Sequence, residues 1–567
     1  MKSILFILIL SVLSLNIKAQ EAKDDSSSAK LSDIISPSIV NISGEAGFSG
    51  ELYSISGRDA RRPGASGRVF IRPTLTLFNN FSVNFDIFLS TEGSSARQQI
   101  NQIALHPEWS WGRAHLGDFS HEFSKFTLSG VTIRGGGLEI YPGIFRLQIV
   151  GGQTQRAVEE GPYSSAYSRY LAGVKVGIGS PESFLFDINV IRVRDNTASL
   201  PKDLFIKDSA ANTGTSQYGV TPQENMVAGI NTQFSLFDRM FKFNGEVAAS
   251  VFTRDMYSST FTNEDLKEAD LPTFINDIYK LRLSTNADFA YLTELSFNYD
   301  IVSAKVSYSV INPGYTSLGI GSLINDKRNI AFSSGIRLFN NNLSLQVNYQ
   351  LQNDNLLKQK LYTLSRATYG LSMNVRPIKE LAFVFNTVQN NMNNDATNDT
   401  LKISNITSIY SANVLSQLDL FNLSHSITGN YSLQIAENQN ILRKGEAVTV
   451  NNLGLGFQTR ISPNWSAGPN ISFNIVNIPD REKAVSSTYN FRIINKMLNS
   501  KLSNSLIFGY TDAGTIQSSI ITLQSGFSLS SSDMFTFSIR SAFYTTKNGT
   551  TTGYQEHKAN LAFNHRF

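Results

Sequence analysis

The chain contains no cysteine. That excludes disulfides, thiolate metal sites, cysteine nucleophiles and a lipid-modified N-terminal cysteine. Charge is scarce as well: Asp, Glu, Lys and Arg make up 17% of residues, against ~25% in ordinary soluble domains. Neither sign dominates, with 49 basic and 45 acidic residues, so the footprint of a nucleic-acid binder is missing. Past the N-terminus no apolar run approaches the ~18–20 residues of a membrane-spanning helix. No phosphate-cradling G-x-x-x-x-G-K-[ST] loop occurs. Gly135-Gly136-Gly137 heads no helix, so it forms no dinucleotide fingerprint.

What is present is alternation. Phe81-Ser82-Val83-Asn84-Phe85-Asp86-Ile87, Phe241-Lys242-Phe243-Asn244-Gly245-Glu246-Val247 and Leu343 to Leu351 place an apolar residue at every second position. A period of two belongs to a strand with one apolar and one wet face. The signal recurs from about residue 45 to Phe567, with no composition shift that would divide the chain. Tight turn chemistry at Phe78-Asn79-Asn80-Phe81, Tyr141-Pro142-Gly143, Asp238-Arg239 and Phe339 to Asn342 alternates with long polar connections near 196–222, 255–280, 313–328 and 390–400. Two unlike ends are the habit of an outer-membrane barrel.

Lipid leaves backbone N–H and C=O groups unsatisfied, so only helices and closed barrels span it. The strand signal removes helices. The reading is therefore all-β: a large antiparallel transmembrane β-barrel of about 22–26 strands over residues 45–567, with short turns at one end and longer loops at the other. Val83, Phe85, Ile87, Leu345 and Val347 would meet lipid, and Ser82, Asn84, Asp86, Gln346 and Asn348 a wet interior. A soluble β-sandwich is the competing reading. Residues 1–19 read as a signal peptide, with Lys2 ahead of an apolar stretch from Ile4 to Leu15 and Ala19 at the cleavage point. Residues 20–44 read as a flexible arm. At the other end Leu561, Phe563 and Phe567 share one strand face, as in the C-terminal assembly signal of such barrels, with His565 departing from the apolar pattern.

Residues 105–195 are rich in glycine and arginine. Charge facing lipid is costly, so Arg134, Arg146, Arg156, Arg169 and Arg192 are assigned to the lumen, with Asp118, Glu139 and Asp187 as partners. A salt-bridge lattice stiffening the wall is favoured over a strip guiding ions or polymers. Gly117-Asp118-Phe119, Leu128-x-Gly130-Val131-x-Ile133-Arg134-Gly135-Gly136, Pro142-Gly143 and Gly151-Gly152-x-Thr154-Gln155-Arg156 together resemble the early barrel strands of large outer-membrane proteins of the Bacteroidetes type. They are distantly similar to the barrel of the type 9 secretion translocon and, more loosely, to usher pores. The resemblance implies a large barrel in a secretion or surface-assembly setting, and names no substrate.

Three of the six histidines, His106, His115 and His121, cluster in sequence, but their spacing fixes no metal face, and no metal or cofactor is expected. His121 with Ser124, and Ser424 with His425, are near neighbours of the kind a barrel lipase would use, but serine is abundant throughout the chain. The acidic run Asn263 to Asp270 reads as a solvated helical turn in an outer loop. No globular segment precedes the barrel to serve as a plug, although 93–128 has the composition to fold inward as a constriction.

The functional expectation is a non-enzymatic pore or scaffold of the bacterial outer membrane, passing hydrophilic solutes or serving an envelope secretion assembly. The alternatives are a closed interaction barrel without conductance and a barrel enzyme acting on lipids. Partners expected are outer-membrane lipid, the barrel-assembly machinery through the C-terminal strand, and secretion-system components, with no nucleic acid. The mature polypeptide should therefore be extracted only with detergent. A compact monomer in detergent-free buffer, detected by sedimentation, would remove the basis of this reading.

Overall fold

From Val40 onward the alternating stretches form strands that each run antiparallel to the next. The computed structural model describes residues 40–567 except 79, 93–97, 99, 160–164, 201–204, 209–212, 217–219, 446 and 548–552. The expected signal peptide and residues 20–39 of the expected arm lie outside the described residues. The early strands are β1 (Val40–Ser56), β2 (Ala65–Leu77), β3 (Phe81–Ser90), β4 (Gln102–Trp109) and β5 (Gly112–Ser120). They continue with β6 (Thr132–Ile140), β7 (Phe145–Gln155), β8 (Arg169–Gly179) and β9 (Phe184–Asp195). A separate hairpin, β10 (Phe205–Asp208) and β11 (Thr213–Ser216), interrupts the series. Then come β12 (Glu224–Leu236), β13 (Phe241–Thr253), β14 (Thr285–Tyr299) and β15 (Val302–Ile311). Strands β16 to β27 lie between Lys327 and Thr546, and β28 is Tyr554–Arg566.

Apart from the hairpin, the strands form one 26-stranded sheet. β9 pairs directly with β12, and β28 returns to β1, with Glu45 opposite Arg566 and Ser56 opposite Gln555. The sheet is thus a closed barrel with no free edge. At the seam the Gly44 N–H donates to the Phe567 carbonyl at 2.8 Å, and the Phe567 N–H donates back to Gly44 at 3.1 Å. Residues 40–44, expected as the end of the arm, are therefore strand: they continue the β1–β2 ladder opposite Leu77 to Pro73.

Side chains alternate across the wall as the pleat requires. Phe48, Phe85, Ile188, Val347 and Leu561 are exposed on the outer face. Glu45, Ser49 and Glu51 face inward on β1, where Arg72 reaches both Glu45 and Asp86. The Phe563 ring, on the outer face with Leu561, packs between Phe48 and Phe535 at centroid distances of 5.9 and 4.5 Å. His565 breaks the apolar pattern because it meets Asp533 across the strand pair at 2.6 Å.

The two ends differ. At one, strands are joined by tight turns, and five of these open on a bulky apolar residue with positive φ: Phe78, Phe237, Phe339, Phe421 and Leu498, all at 52–53°. A bulky residue rarely adopts this region, yet all five side chains are at least 62% exposed. At the other end lie the long connections. The one after β13 contains α1 (Asn263–Glu268), whose Thr262 and Asp265 form a reciprocal capping box, and the short α2 (Ile275–Ile278). No helix among the described residues is long and apolar enough to cross a membrane.

Closure in this register is testable because the chain supplies a cysteine-free background. Gly50 lies opposite Leu561, and Ser49 opposite Ala562. Neighbouring antiparallel pairs alternate between wide and close spacing, so either Gly50→Cys/Leu561→Cys or Ser49→Cys/Ala562→Cys should oxidise to an intramolecular disulfide, seen as a shift on a non-reducing gel. Crosslinking of neither pair would contradict the seam.

Candidate functional site: the inner wall and its inward loops

Two of the long connections do not remain at the rim. Residues 121–131, between β5 and β6, and 312–326, between β15 and β16, turn into the barrel and pack against each other and the wall. The expected constriction over 93–128 is thus only partly realised. Residues 102–109 and 112–120 belong to the wall, where Ile103 and Leu116 are outward and exposed. The connection near 313–328, expected as an outer loop, supplies the other half of the inward structure.

An apolar cluster holds the loops in place. Phe123, Phe126 and Leu128 from the first loop and Tyr315 from the second meet Val150, Leu171, Ile191, Val193, Val227 and Ala290 from the wall. Each such side chain contributes roughly 1.5–3 kcal/mol when fully buried. Glycines let the loop come this close. A Cβ at Gly173 would lie 2.9 Å from the Phe123 ring, and one at Gly229 2.8 Å from the Thr127 methyl.

Hydrogen bonds fix the register of the loops. The Glu246 carboxylate accepts from the backbone N–H of Phe126 at 2.7 Å and of Lys125 at 3.3 Å. Lys175 Nζ donates to the Phe123 carbonyl at 2.8 Å. The Tyr315 hydroxyl donates to the Phe126 carbonyl, and Ser317 Oγ to the Thr127 carbonyl, both at 2.6 Å. Ser129 and Ile320 form a short parallel bridge. Under the loops the match is incomplete. The side-chain amide of Asn189 and Asn231 Oδ1 are buried without a hydrogen-bond partner among the described residues. Each such group costs about 1–3 kcal/mol.

The expected lumen charges divide into two sets. Arg146 and Lys175 converge on Asp187 at 3.0 and 3.1 Å, and Arg169 grips Asp195 with two N–H groups at 2.7 and 3.1 Å. Asp187 and Asp195 share the face of Ile191 and Val193, the face that packs on the inward loops. Glu139 also points inward. Arg156 lies just past β7, where its backbone N–H and carbonyl both bond the Gln98 side chain.

Arg192 faces the other way. Asp118 and Arg134 are register partners that pair at 2.7 Å, and Asp118 lines the same recess as His106 and His115. Arg192 lies opposite Ile191 and Val193, beside Glu224 at 2.6 Å, with Arg194 at 3.8 Å from the same carboxylate. The assignment of Arg192 to the lumen is corrected. It stands near the end of β9, next to the long connection that follows, where an outward charge meets the rim rather than the middle of the wall. It is also neutralised by Glu224, whose carboxylate is nearly buried.

The sequence carried a mark of the inward loops. In β9 the apolar residues Phe184, Phe186, Ile188 and Val190 face out, then Ile191 and Val193 face in. The phase of alternation flips where the loops cover the wall. Glu246 was visible as a charge in an alternating run, but its partners lie about 120 positions away.

The three N-terminal histidines gather after all. His115 Nε2 lies 2.7 Å from Glu139 Oε1, His121 Nδ1 3.7 Å from the same oxygen, and His106 Nδ1 2.9 Å from His115 Nδ1. Adjacent strands bring together what sequence spacing separates. Arg113 also reaches Glu139, at 3.3 Å, and the Tyr141 hydroxyl donates to Glu139 Oε2. Neither serine–histidine pair is joined: His121 bonds Gln148 while Ser124 bonds Thr127, and His425 bonds Thr459.

No family model and no curated protein matches this chain. Among solved structures it is similar to the P pilus usher PapC translocation pore, at 10% identity over 92% of this chain and 99% of that one, with a TM-score of 0.37. It is also similar to BauA, the ferric preacinetobactin receptor from Acinetobacter baumannii, at 8% identity over 92% and 80%, TM-score 0.37. A third is OccAB2 from Acinetobacter baumannii, at 11% identity over 72% and 100%, TM-score 0.30. At this similarity the functional argument rests on the chain's own geometry.

The second inward loop is clasped at its root. Asp326 accepts from the Leu356 N–H at 2.8 Å and meets Lys360 Nζ at 2.5 Å. Burial alone would raise the Asp326 carboxyl, but the Lys360 ammonium and the N–H groups of Leu356 and Asn355 hold it below the usual carboxylate range. A depressed carboxyl contributes stability that is fully present above its unfolded value and lost as pH falls through the folded one. Hydrogen-exchange protection across 354–363, corrected for intrinsic rate, should persist from neutral pH to about pH 4 and fall below it. Asp326→Asn should lack that protection throughout. Equal protection of both proteins at every pH would show that the clasp contributes nothing.

Proposed function

We propose that this chain is a bacterial outer-membrane barrel that passes small hydrophilic solutes through a lumen narrowed by its two inward loops. The observation that carries the reading is the polar inner wall beyond the loops. Ser296, Asn298, Ser303, Lys305, Ser333 and Gln346 line one open stretch of it. Ser49, Glu51, Arg68, Ser503, Ser505 and Asn560 line another, next to the seam. A wall of hydroxyls and amides with paired charges suits water and uncharged polar solutes better than a polymer of one charge. The outer face, apolar and exposed around the circumference, suits lipid. Export through the leader and insertion through the strand that carries Leu561, Phe563 and Phe567 complete the reading. No catalytic role is proposed.

The loops set the bore. The buried, unpartnered polar atoms of the wall beneath them, on Asn189 and Asn231, would regain hydrogen bonds once hydrated, which favours a loop that lifts from the wall. A closed scaffold is the second reading, supported by the complete burial of Leu128 and Tyr315. Service in a secretion assembly, implied by the glycine-rich motif, would need a partner captured from native membranes.

Planar-bilayer recording separates the first two. Wild type should give ohmic steps. Gly229→Val, which drives a side chain into Thr127, should give larger ones, and Glu246→Gln, which weakens the hold on Phe126 and Lys125, should make them noisier. Silence from all three proteins, each folded by heat-modifiability on gels, would sink the pore and leave the scaffold.

A further inference from the structure

We infer that His115, His121 and Glu139 form a binding site for a first-row divalent cation of the zinc type, fastening the root of the first inward loop to the wall. The inference stands independently of the pore reading. The ligand atoms of the three residues lie within 4.8 Å of one another, and all three residues are buried. Two imidazole nitrogens and a carboxylate oxygen are a donor set that zinc accepts. Metal–ligand bonds of ~2.0–2.1 Å give tetrahedral edges of about 3.3 Å, and the contacts to Glu139 Oε1, at 2.7 and 3.7 Å, bracket that edge. Small side-chain shifts would therefore seat a cation among them.

The surrounding hydrogen bonds favour this more than a plain network does. Gln148 Nε2 donates to the Tyr141 hydroxyl at 2.6 Å, so Gln148 Oε1 faces His121 Nε2 at 3.1 Å and accepts its proton. Neutral His121 then aims a bare Nδ1 at a carboxylate oxygen 3.7 Å away. Two lone pairs facing across such a gap repel, and a cation between them removes the repulsion. Without metal, His115 Nε2 donates to Glu139 Oε1 at 2.7 Å; moving that proton to Nδ1, which then donates to His106 Nδ1 at 2.9 Å, would free Nε2 for the cation. Both imidazoles thus have an outer partner for the nitrogen turned away from the metal, the arrangement that orients histidine ligands.

Access comes from the lumen. His106 and His115 line a pocket of about 350 Å³ with Asp86, Glu108 and Arg113. Asp86 and Glu108 attract cations. Arg113, now on Glu139, has Glu108 directly opposite on β4 to receive it when metal arrives. Water from the pocket would fill the fourth position.

The test uses the full-length barrel without a histidine tag, stripped with chelator in detergent and titrated with Co²⁺ as a spectroscopic probe. One equivalent should produce the intense visible bands of a four-coordinate site, and Zn²⁺ should abolish them. His121→Ala should weaken Zn²⁺ binding at least about 100-fold, and Gln148→Ala, which removes only an outer partner, about 10-fold. His425→Ala, at a distant position, should bind as wild type. The wild-type titration decides even if a variant misfolds: no saturable one-equivalent signal, or only the weak spectrum of aqueous Co²⁺, overturns the site. A folded His121→Ala protein that binds as wild type overturns it equally.

Discussion

Every strand of this barrel depends on its neighbours for hydrogen bonds, and the circle closes because β28 finds β1. An open sheet of this size would expose two rows of unpaired N–H and C=O groups, which hydrocarbon cannot solvate. Closure therefore comes first, and other features follow from it. Once the ladder is continuous, each residue's face is set by parity, and a run of serine and asparagine becomes a wet wall without further instruction. The exchange between Gly44 and Phe567 is where that continuity is completed.

Much of this was legible in the sequence, for a physical reason. Strands such as Phe81–Ser90 and Leu343–Asn353 carry one apolar and one polar face, and a two-faced wall writes a period of two into the chain. The strand number fell within the expected range because turn and loop residues mark the ends of most crossings. The start of β1 was less visible: between Val40 and Gly44 the strand holds its place through pairing with β2 and with Phe567, which no local pattern announces.

The site was harder to read. Phe123, Phe126 and Leu128 have no periodic signature, and their partners Val227 and Ala290 lie far along the chain. The facing of Arg192 was misjudged because parity was assumed from charge, and charge at a strand end obeys a weaker rule than charge at mid-wall. The inversion in β9, where Ile191 and Val193 turn inward, shows what the loops do to the wall: where loop side chains cover the inside, the inner face gains apolar residues among the polar ones that anchor the loop. Histidines on neighbouring strands escaped for a related reason, since spacing along one chain says nothing about distance across a ladder.

The five turns that begin on Phe78, Phe237, Phe339, Phe421 and Leu498 hold these residues in a backbone conformation that costs of order 1 kcal/mol or more each. In the membrane proposed for this barrel, such a ring of protruding hydrophobes acts as a waterline. It resists sinking, because the polar turn residues beside it would enter oil, and it resists rising, because the rings themselves would surface. The wall's draught in the bilayer is thereby set from one rim, leaving the opposite rim free to vary in height.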